Sequence, residues 1–127
     1  MKLNQITLPV SNMKLATDFY QTLGFTLIVD TEHYARFECP DQYSTFSLSL
    51  TDEHYRNGAI IYFEHEQLDQ WVNDLINKGI EFEQMPTDQS YLWREATLKD
   101  PSGNKIKLFY AGENRLNPPW RVNSASN

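Results

Sequence analysis

The chain has 127 residues and 14.9 kDa, with 40% apolar and 13% aromatic residues. That is enough to bury a core in one domain or in two small repeats sharing one, too little for two independent domains, and incompatible with wholesale disorder. Eleven Lys and Arg against seventeen Asp and Glu give a net charge of −6, which disfavours a nucleic-acid backbone or an anionic membrane surface as partner and suits a neutral or cationic ligand.

No cationic-then-apolar leader opens the sequence, and its longest purely apolar run, Ala59-Ile60-Ile61-Tyr62-Phe63, is far too short to span a bilayer. The expectation is a cytoplasmic protein. Leu3–Val10 alternates as a strand. Ser11 or Asn12 is a natural N-cap for a helix whose stripe is Met13, Ala16, Tyr20 and Leu23, with Phe19 beside it and Gly24 as its stop. Strands follow at Phe25–Asp30, Tyr34–Cys39 and Thr45–Leu50. Cys39 is the single cysteine, so neither an internal disulfide nor a thiolate zinc cage can form within one chain.

Asn57-Gly58 breaks the pattern, and Ala59–Glu64 reads as the next strand. Glu64-His65-Glu66 and Asp69 make an acidic start for a second helix, with the stripe Leu68, Trp71, Val72, Leu75 and Ile76 and a stop at Gly79. Ile80–Gln84, Leu92–Lys99 and Lys105–Tyr110 complete the strands. Asp100-Pro101-Ser102-Gly103 between the last two predicts a tight hairpin turn. Beyond residue 112, Pro118-Pro119-Trp120 predicts an extended arm that docks Trp120 on the body or on a partner subunit, with residues 123–127 frayed.

The element order is strand, helix, three strands, stated twice. A shift of 55 positions lays Gln5-Ile6-Thr7-Leu8 on Ile60-Ile61-Tyr62-Phe63, Met13/Ala16/Tyr20 on Leu68/Trp71/Leu75, and Gly24 on Gly79. The chain therefore reads as an α+β domain over 1–112, made of two βαβββ modules at about 1–56 and 57–112, with an arm over 113–127.

Leu3-Asn4-Gln5-Ile6-Thr7-Leu8-Pro9-Val10 with Phe19-Tyr20-Gln21-Thr22-Leu23-Gly24-Phe25, and Leu98-Lys99-Asp100-Pro101-Ser102-Gly103-Asn104-Lys105-Ile106-Lys107-Leu108, resemble the first strand and helix and the final hairpin of the vicinal oxygen chelate superfamily. That superfamily contains glyoxalase I, extradiol dioxygenases, fosfomycin-resistance enzymes and bleomycin-resistance proteins. The resemblance implies a mixed sheet curled around a cleft, and a homodimer. It also implies, in the family's enzymes, one divalent metal per site, held by the first and last strands of each module. Here the matched places carry Gln5, Ile60 and Lys107, with the fourth falling on Ser49. Ile has no lone pair and Lys repels a cation, so no metal and no cofactor is expected.

If Ile106 and Leu108 face the helices, alternation turns Lys105, Lys107 and Phe109 to the other side, with Trp93, Glu95 and Thr97 from the neighbouring strand. Gln5, Thr7, Thr45, Ser47, Ser49, Ile60, Tyr62 and Glu64 join them. The expected ligand-binding set is Gln5, Thr7, Ser47, Ser49, Ile60, Tyr62, Trp93, Glu95, Lys107 and Phe109, a lining for a flat, partly apolar organic molecule. Against it stands the plainer reading that Trp93 and Tyr62 only fill a closed barrel. Glu95, Lys107 and Tyr62 are the candidates for metal-free acid/base work, with a structural Glu95–Lys107 salt bridge as the competing reading.

His33, His54 and His65 read as surface or strand-end residues rather than ligands, and Cys39 has no basic neighbour to activate it. The balance falls to a non-catalytic binding protein that sequesters or senses its ligand, similar to bleomycin-resistance proteins. The alternative is a glyoxalase-like lyase, isomerase or dioxygenase with a displaced metal site or metal-free chemistry.

Overall fold

In a computed structural model, residues 1–41, 43–52 and 56–122 are described. His54 lies outside them, as do the terminal residues 123–127. The chain divides into two compact units, Met1–Ile60 with Lys99–Lys105, and Ile61–Leu98 with the segment from Ile106 onward. The first unit gives way to the second after Ile60. The tip of the last hairpin, however, belongs to the first unit.

The first unit contains β1 (Gln5–Val10), α1 (Met13–Leu23), β2 (Thr26–Asp30), β3 (Tyr34–Glu38) and β4 (Thr45–Leu50). Its sheet runs β1-β4-β3-β2, with β1 parallel to β4 and the other pairs antiparallel. Asn12 is the cap of α1, its Oδ1 accepting the Leu15 N–H at 3.0 Å. Gly24 ends the helix at φ 112°, a left-handed conformation that a side chain would strain. Alternation sorts the sheet: Leu8, Val10, Ala35, Phe37, Phe46 and Leu48 are buried against Ala16, Tyr20 and Leu23 of α1. Phe37 stacks on Phe46 with centroids 5.1 Å apart, and Tyr20 meets Phe46 edge-on at 5.0 Å.

The hairpin tip is bound into this unit by Asp100. Its carboxylate accepts from the Ser102 and Asn104 backbones (2.9 Å each), from Asn104 Nδ2 (2.8 Å) and from the buried Tyr20 hydroxyl (2.7 Å). Asn104 Nδ2 also donates to the Pro9 carbonyl at 2.8 Å, and Asn57 Nδ2 donates to Asn104 Oδ1 at 3.0 Å. Burial, reinforced by the Asp100 carboxylate, pushes the Tyr20 phenol far above its ordinary range.

The second sheet contains β5 (Ile60–Glu64), β6 (Gln84–Asp88), β7 (Arg94–Lys99) and β8 (Lys105–Tyr110), with α2 (Leu68–Asn77) between β5 and β6 in the chain. Its order, β5-β8-β7-β6, repeats that of the first sheet strand for strand, which establishes the α+β fold of two βαβββ modules. Leu68, Val72 and Leu75 are buried, as are Ala96, Leu98, Ile106 and Leu108. Asp69 in the first turn of α2 is clamped by Arg94 (Nε–Oδ1 2.9 Å, Nη2–Oδ2 3.0 Å), which holds its carboxyl below the usual range.

Two expectations need correction. The strand expected at Ile80–Gln84 lies at Gln84–Asp88 instead. Residues 80–82 are spent leaving the helix, with the Ile80 N–H bonded to the Leu75 carbonyl at 3.0 Å, and the Glu83 N–H is the first to reach β7, at the Thr97 carbonyl (2.8 Å). Pro86 obscured the true strand, which tolerates a missing N–H because it is the sheet's edge. The arm is likewise not extended. Gly112–Asn114 forms a 3₁₀ turn, the Asn117 N–H bonds the Glu113 carbonyl (2.8 Å), and the Arg121 N–H bonds the Pro118 carbonyl (3.0 Å). Glu64 anchors its root, accepting the Ala111 and Gly112 N–H groups at 2.8 and 3.0 Å with Arg115 beside it at 3.6 Å. Trp120 stays 57% exposed, so docking on the body is not what holds it.

Candidate functional site

The faces of the two sheets opposite the helices carry the candidate residues. On the second sheet, alternation places Tyr62 of β5, Lys107 and Phe109 of β8, and Glu95 of β7 on one side, with Trp93 just before β7. Trp93 stacks on Phe109 with centroids 4.6 Å apart, and Tyr62 meets both rings edge-on at 5.9 and 5.6 Å. Phe109 is buried, while Tyr62 is 42% exposed, so the cluster is an open aromatic surface rather than a filled interior.

Beside it, Lys107 Nζ lies 3.0 Å from Glu95 Oε1 and 5.8 Å from the centroid of Tyr62. Glu95 is 2% exposed. Its second donor is the Tyr91 hydroxyl, and the hydrogen bond to Glu95 pushes that phenol up to about 12. Tyr91 is held by the turn joining β6 to β7, closed by the Gln89 N–H on the Trp93 carbonyl (2.8 Å) and the Leu92 N–H on the Gln89 carbonyl (3.0 Å). Leu92 adopts φ 68° there, a left-handed conformation that costs a leucine about 1 kcal/mol. The strained turn thus carries Tyr91 to Glu95 and Trp93 to Phe109.

On the first sheet, Gln5 Nε2 donates to Ser47 Oγ at 2.7 Å, and Ser47 Oγ lies 2.5 Å from the Tyr34 hydroxyl, which also receives Arg36 Nε at 3.0 Å. Thr45 bonds Gln5 Oε1. These bonds, Ser47 first and Arg36 second, hold the Tyr34 phenol below its ordinary value. Thr7 shares this face as register partner of Ser47.

Of the expected residues, the structure therefore brings Gln5 and Ser47 together on one sheet, and Tyr62, Trp93, Glu95, Lys107 and Phe109 together on the other. Ile60 opens β5 and is 37% exposed, without polar function. Ser49 pairs with Pro9 and Tyr34, four residues along from the Thr45 that pairs with Gln5, which is about 13 Å at the rise of a strand. Ser47, not Ser49, is the residue of β4 that meets Gln5. Tyr34 and Arg36 went unnoticed, although the alternation that marks Ala35 and Phe37 as core turns them to the polar face. Tyr91 carried no signal, because its position depends on a turn geometry that leucine rarely adopts.

The ligand positions implied by the family do not make a donor set for a divalent ion. Gln5 is a neutral amide already bonded to Ser47 and Thr45, Ser49 is a neutral hydroxyl four residues along its strand from Thr45, Ile60 offers no lone pair, and Lys107 is a cation paired with Glu95. Among the described residues, no group of three or more His, Cys, Asp or Glu could hold a metal. His65 Nδ1 accepts the Gln67 N–H at 2.9 Å, and its ring lies against Trp71 at the start of α2. His33 is exposed.

A family model for the glyoxalase/bleomycin resistance protein/dioxygenase superfamily matches residues 2–108. Several solved structures share the fold. A superfamily member from Sphaerobacter thermophilus DSM 20745 is 23% identical, with 87% of this chain and 97% of that one covered and a TM-score of 0.73. A glyoxalase/bleomycin resistance protein/dioxygenase from Nocardioides is 21% identical, with 97% and 90% covered and a TM-score of 0.76. Lactoylglutathione lyase from Agrobacterium tumefaciens is 16% identical, with 86% and 92% covered and a TM-score of 0.71. A search of curated protein sequences returned no match.

Proposed function

Because the chain belongs to the glyoxalase/bleomycin resistance protein/dioxygenase superfamily, we propose that it is a small-molecule-binding protein of that family, working without the family's divalent metal. Its ligand is a flat, partly aromatic organic molecule, received by Tyr62, Trp93 and Phe109. The observation that carries this reading is the half-open aromatic cluster beside the Lys107–Glu95 pair, with an ammonium where the family's enzymes use a carboxylate ligand. Stacking on Trp93 supplies affinity, and the charged pair orients a polar substituent. Sequestration or sensing by a cytoplasmic homodimer is the form we assign to this binding. No helix among the described residues is long and apolar enough to cross a membrane.

The experiment is a thermal-shift screen of flat aromatic compounds, cationic and neutral, followed by fluorescence titration of the hits. A hit whose binding disappears in Trp93→Leu, with the fold retained, supports the reading; a library that never raises the melting temperature refutes it. Elemental analysis after incubation with zinc, nickel, manganese and ferrous ions tests the metal clause, and tight retention of about one ion per chain refutes that clause.

One observation favours a second reading. Glu95, nearly inaccessible and held between Lys107 and Tyr91 beside the aromatic cluster, would suit metal-free proton transfer in a lyase or isomerase. Substrate turnover abolished by Glu95→Gln, with ligand binding retained, would move the protein to that class.

A further inference from the structure

The polar face of the first sheet holds chemistry that the aromatic cluster does not use. Arg94 is closed by Asp69 and Asp88, at 2.9 and 3.0 Å, and Arg115 lies against Glu64 at 3.6 Å. Arg36 differs. It is half-buried, and its one hydrogen bond among the described residues runs from Nε to the Tyr34 hydroxyl, with its guanidinium carbon 5.5 Å from that ring's centroid. Glu38, two residues further on the same face, forms no ion pair with it among the described residues. In a chain of net charge −6, a partly desolvated guanidinium without a carboxylate is an exception.

The surroundings fix that guanidinium instead of neutralising it. Ser47 is fully buried and takes its hydrogen bond from Gln5, which leaves its own hydroxyl hydrogen for Tyr34. Gln5 Nε2 is held in turn by the Ile6 carbonyl at 3.0 Å. Tyr34, so positioned from β1 and β4, locks Arg36 by its Nε and leaves the two terminal nitrogens as a fork that no described residue fills. Such a fork matches the two oxygens of a planar or tetrahedral oxyanion.

We propose that this face is an oxyanion-binding site, in which the Arg36 guanidinium, oriented by the Gln5–Ser47–Tyr34 hydrogen-bond chain, receives the carboxylate or phosphate group of a small molecule. The site lies wholly on the first sheet, and it stands or falls independently of binding at Trp93.

Arginine-selective ¹⁵N NMR tests it on the whole chain, with benzoate and phenyl phosphate titrated at constant ionic strength. Sodium chloride and benzyl alcohol are the controls. A saturable shift of the Arg36 Nε–H signal with benzoate alone assigns a carboxylate, with phenyl phosphate alone a phosphate; either supports the site. Arg36→Lys, read by isothermal titration calorimetry with the same two ligands, keeps the charge but loses the fork and should weaken binding at least about tenfold. Tyr34→Phe, which frees the guanidinium to rotate, should weaken it less. Shifts that fail to saturate and are matched by chloride, or Arg36→Lys binding within about twofold of the parent in a folded protein, overturn the proposal.

Discussion

Among the described residues, the Glu95 carboxylate meets two donors, the Lys107 ammonium and the Tyr91 hydroxyl. Truncating the ammonium leaves a carboxylate at 2% exposure with its charge unpaired and the Tyr91 hydroxyl as its remaining donor, whereas replacing both charges with apolar groups leaves no buried charge. Lys107→Met alone should therefore cost about 2 kcal/mol in urea unfolding, less than a fully buried pair because Lys107 is partly exposed, and Glu95→Leu/Lys107→Met should recover at least half of that. Cys39 makes a second residue-scale case. Burial first, then Asp41 and Glu38, pushes its thiol from 9.0 up to about 11. Below pH 9 the thiol is protonated in both the folded and unfolded chains, and its contribution to stability is fully present. Between pH 9 and 11 the unfolded chain ionises first, so that contribution is lost as pH rises. At pH 8, alkylation by iodoacetamide should run about tenfold slower than for free cysteine, since the lost thiolate outweighs the gain in nucleophilicity. A rate equal to that of free cysteine would show the thiol to be unperturbed.

The last hairpin shows at element scale what a turn sequence does beyond turning. Pro101 and Gly103 suit the chain to reverse, Gly103 at φ 87°, but Asp100 does the binding, with four hydrogen bonds that include one to a buried tyrosine of α1. Asp100→Ala should destabilise the protein by about 4 kcal/mol, because it also leaves the Tyr20 hydroxyl buried without an acceptor. Tyr20→Phe, which removes the hydroxyl as well, should cost markedly less; equal losses would deny that role to the hydroxyl. Elements of this kind were legible in the sequence to the extent that one physical rule dominated them. β4 falls at the expected residues because its apolar alternation is uninterrupted, β8 because Lys105 to Leu108 alternate behind a tight turn, and α1 because Asn12 and Gly24 bound a clean stripe. β6 was misplaced because Pro86 speaks against a strand everywhere except at an edge, and edges are set by tertiary order. The polar face was half legible for the same reason. Alternation turned Gln5 and Ser47 to the same side, yet only the register of β1 against β4 distinguishes Ser47 from Ser49 as the partner of Gln5.

At the scale of the whole molecule, the two modules repeat one topology while their open faces have diverged into a hydrogen-bonded polar set and an aromatic one. The repeat does not make the modules autonomous. The first unit includes Lys99–Lys105, so a chain cut after residue 60 lacks Asp100 and Asn104, the partners of Tyr20 and Pro9. Residues 1–60 expressed alone should show no cooperative thermal transition and poor amide dispersion; a native-like spectrum would mean that the hairpin tip is dispensable.

That discontinuity also orders events during synthesis. A chain emerging from the ribosome usually completes its N-terminal part first. Here the first unit cannot close until residue 105 has been made and has left the ribosome. Tyr20 must wait through 80 residues of translation for its acceptor. The protein is a duplication in its architecture, but in time it is one folding event, completed from its C-terminal side.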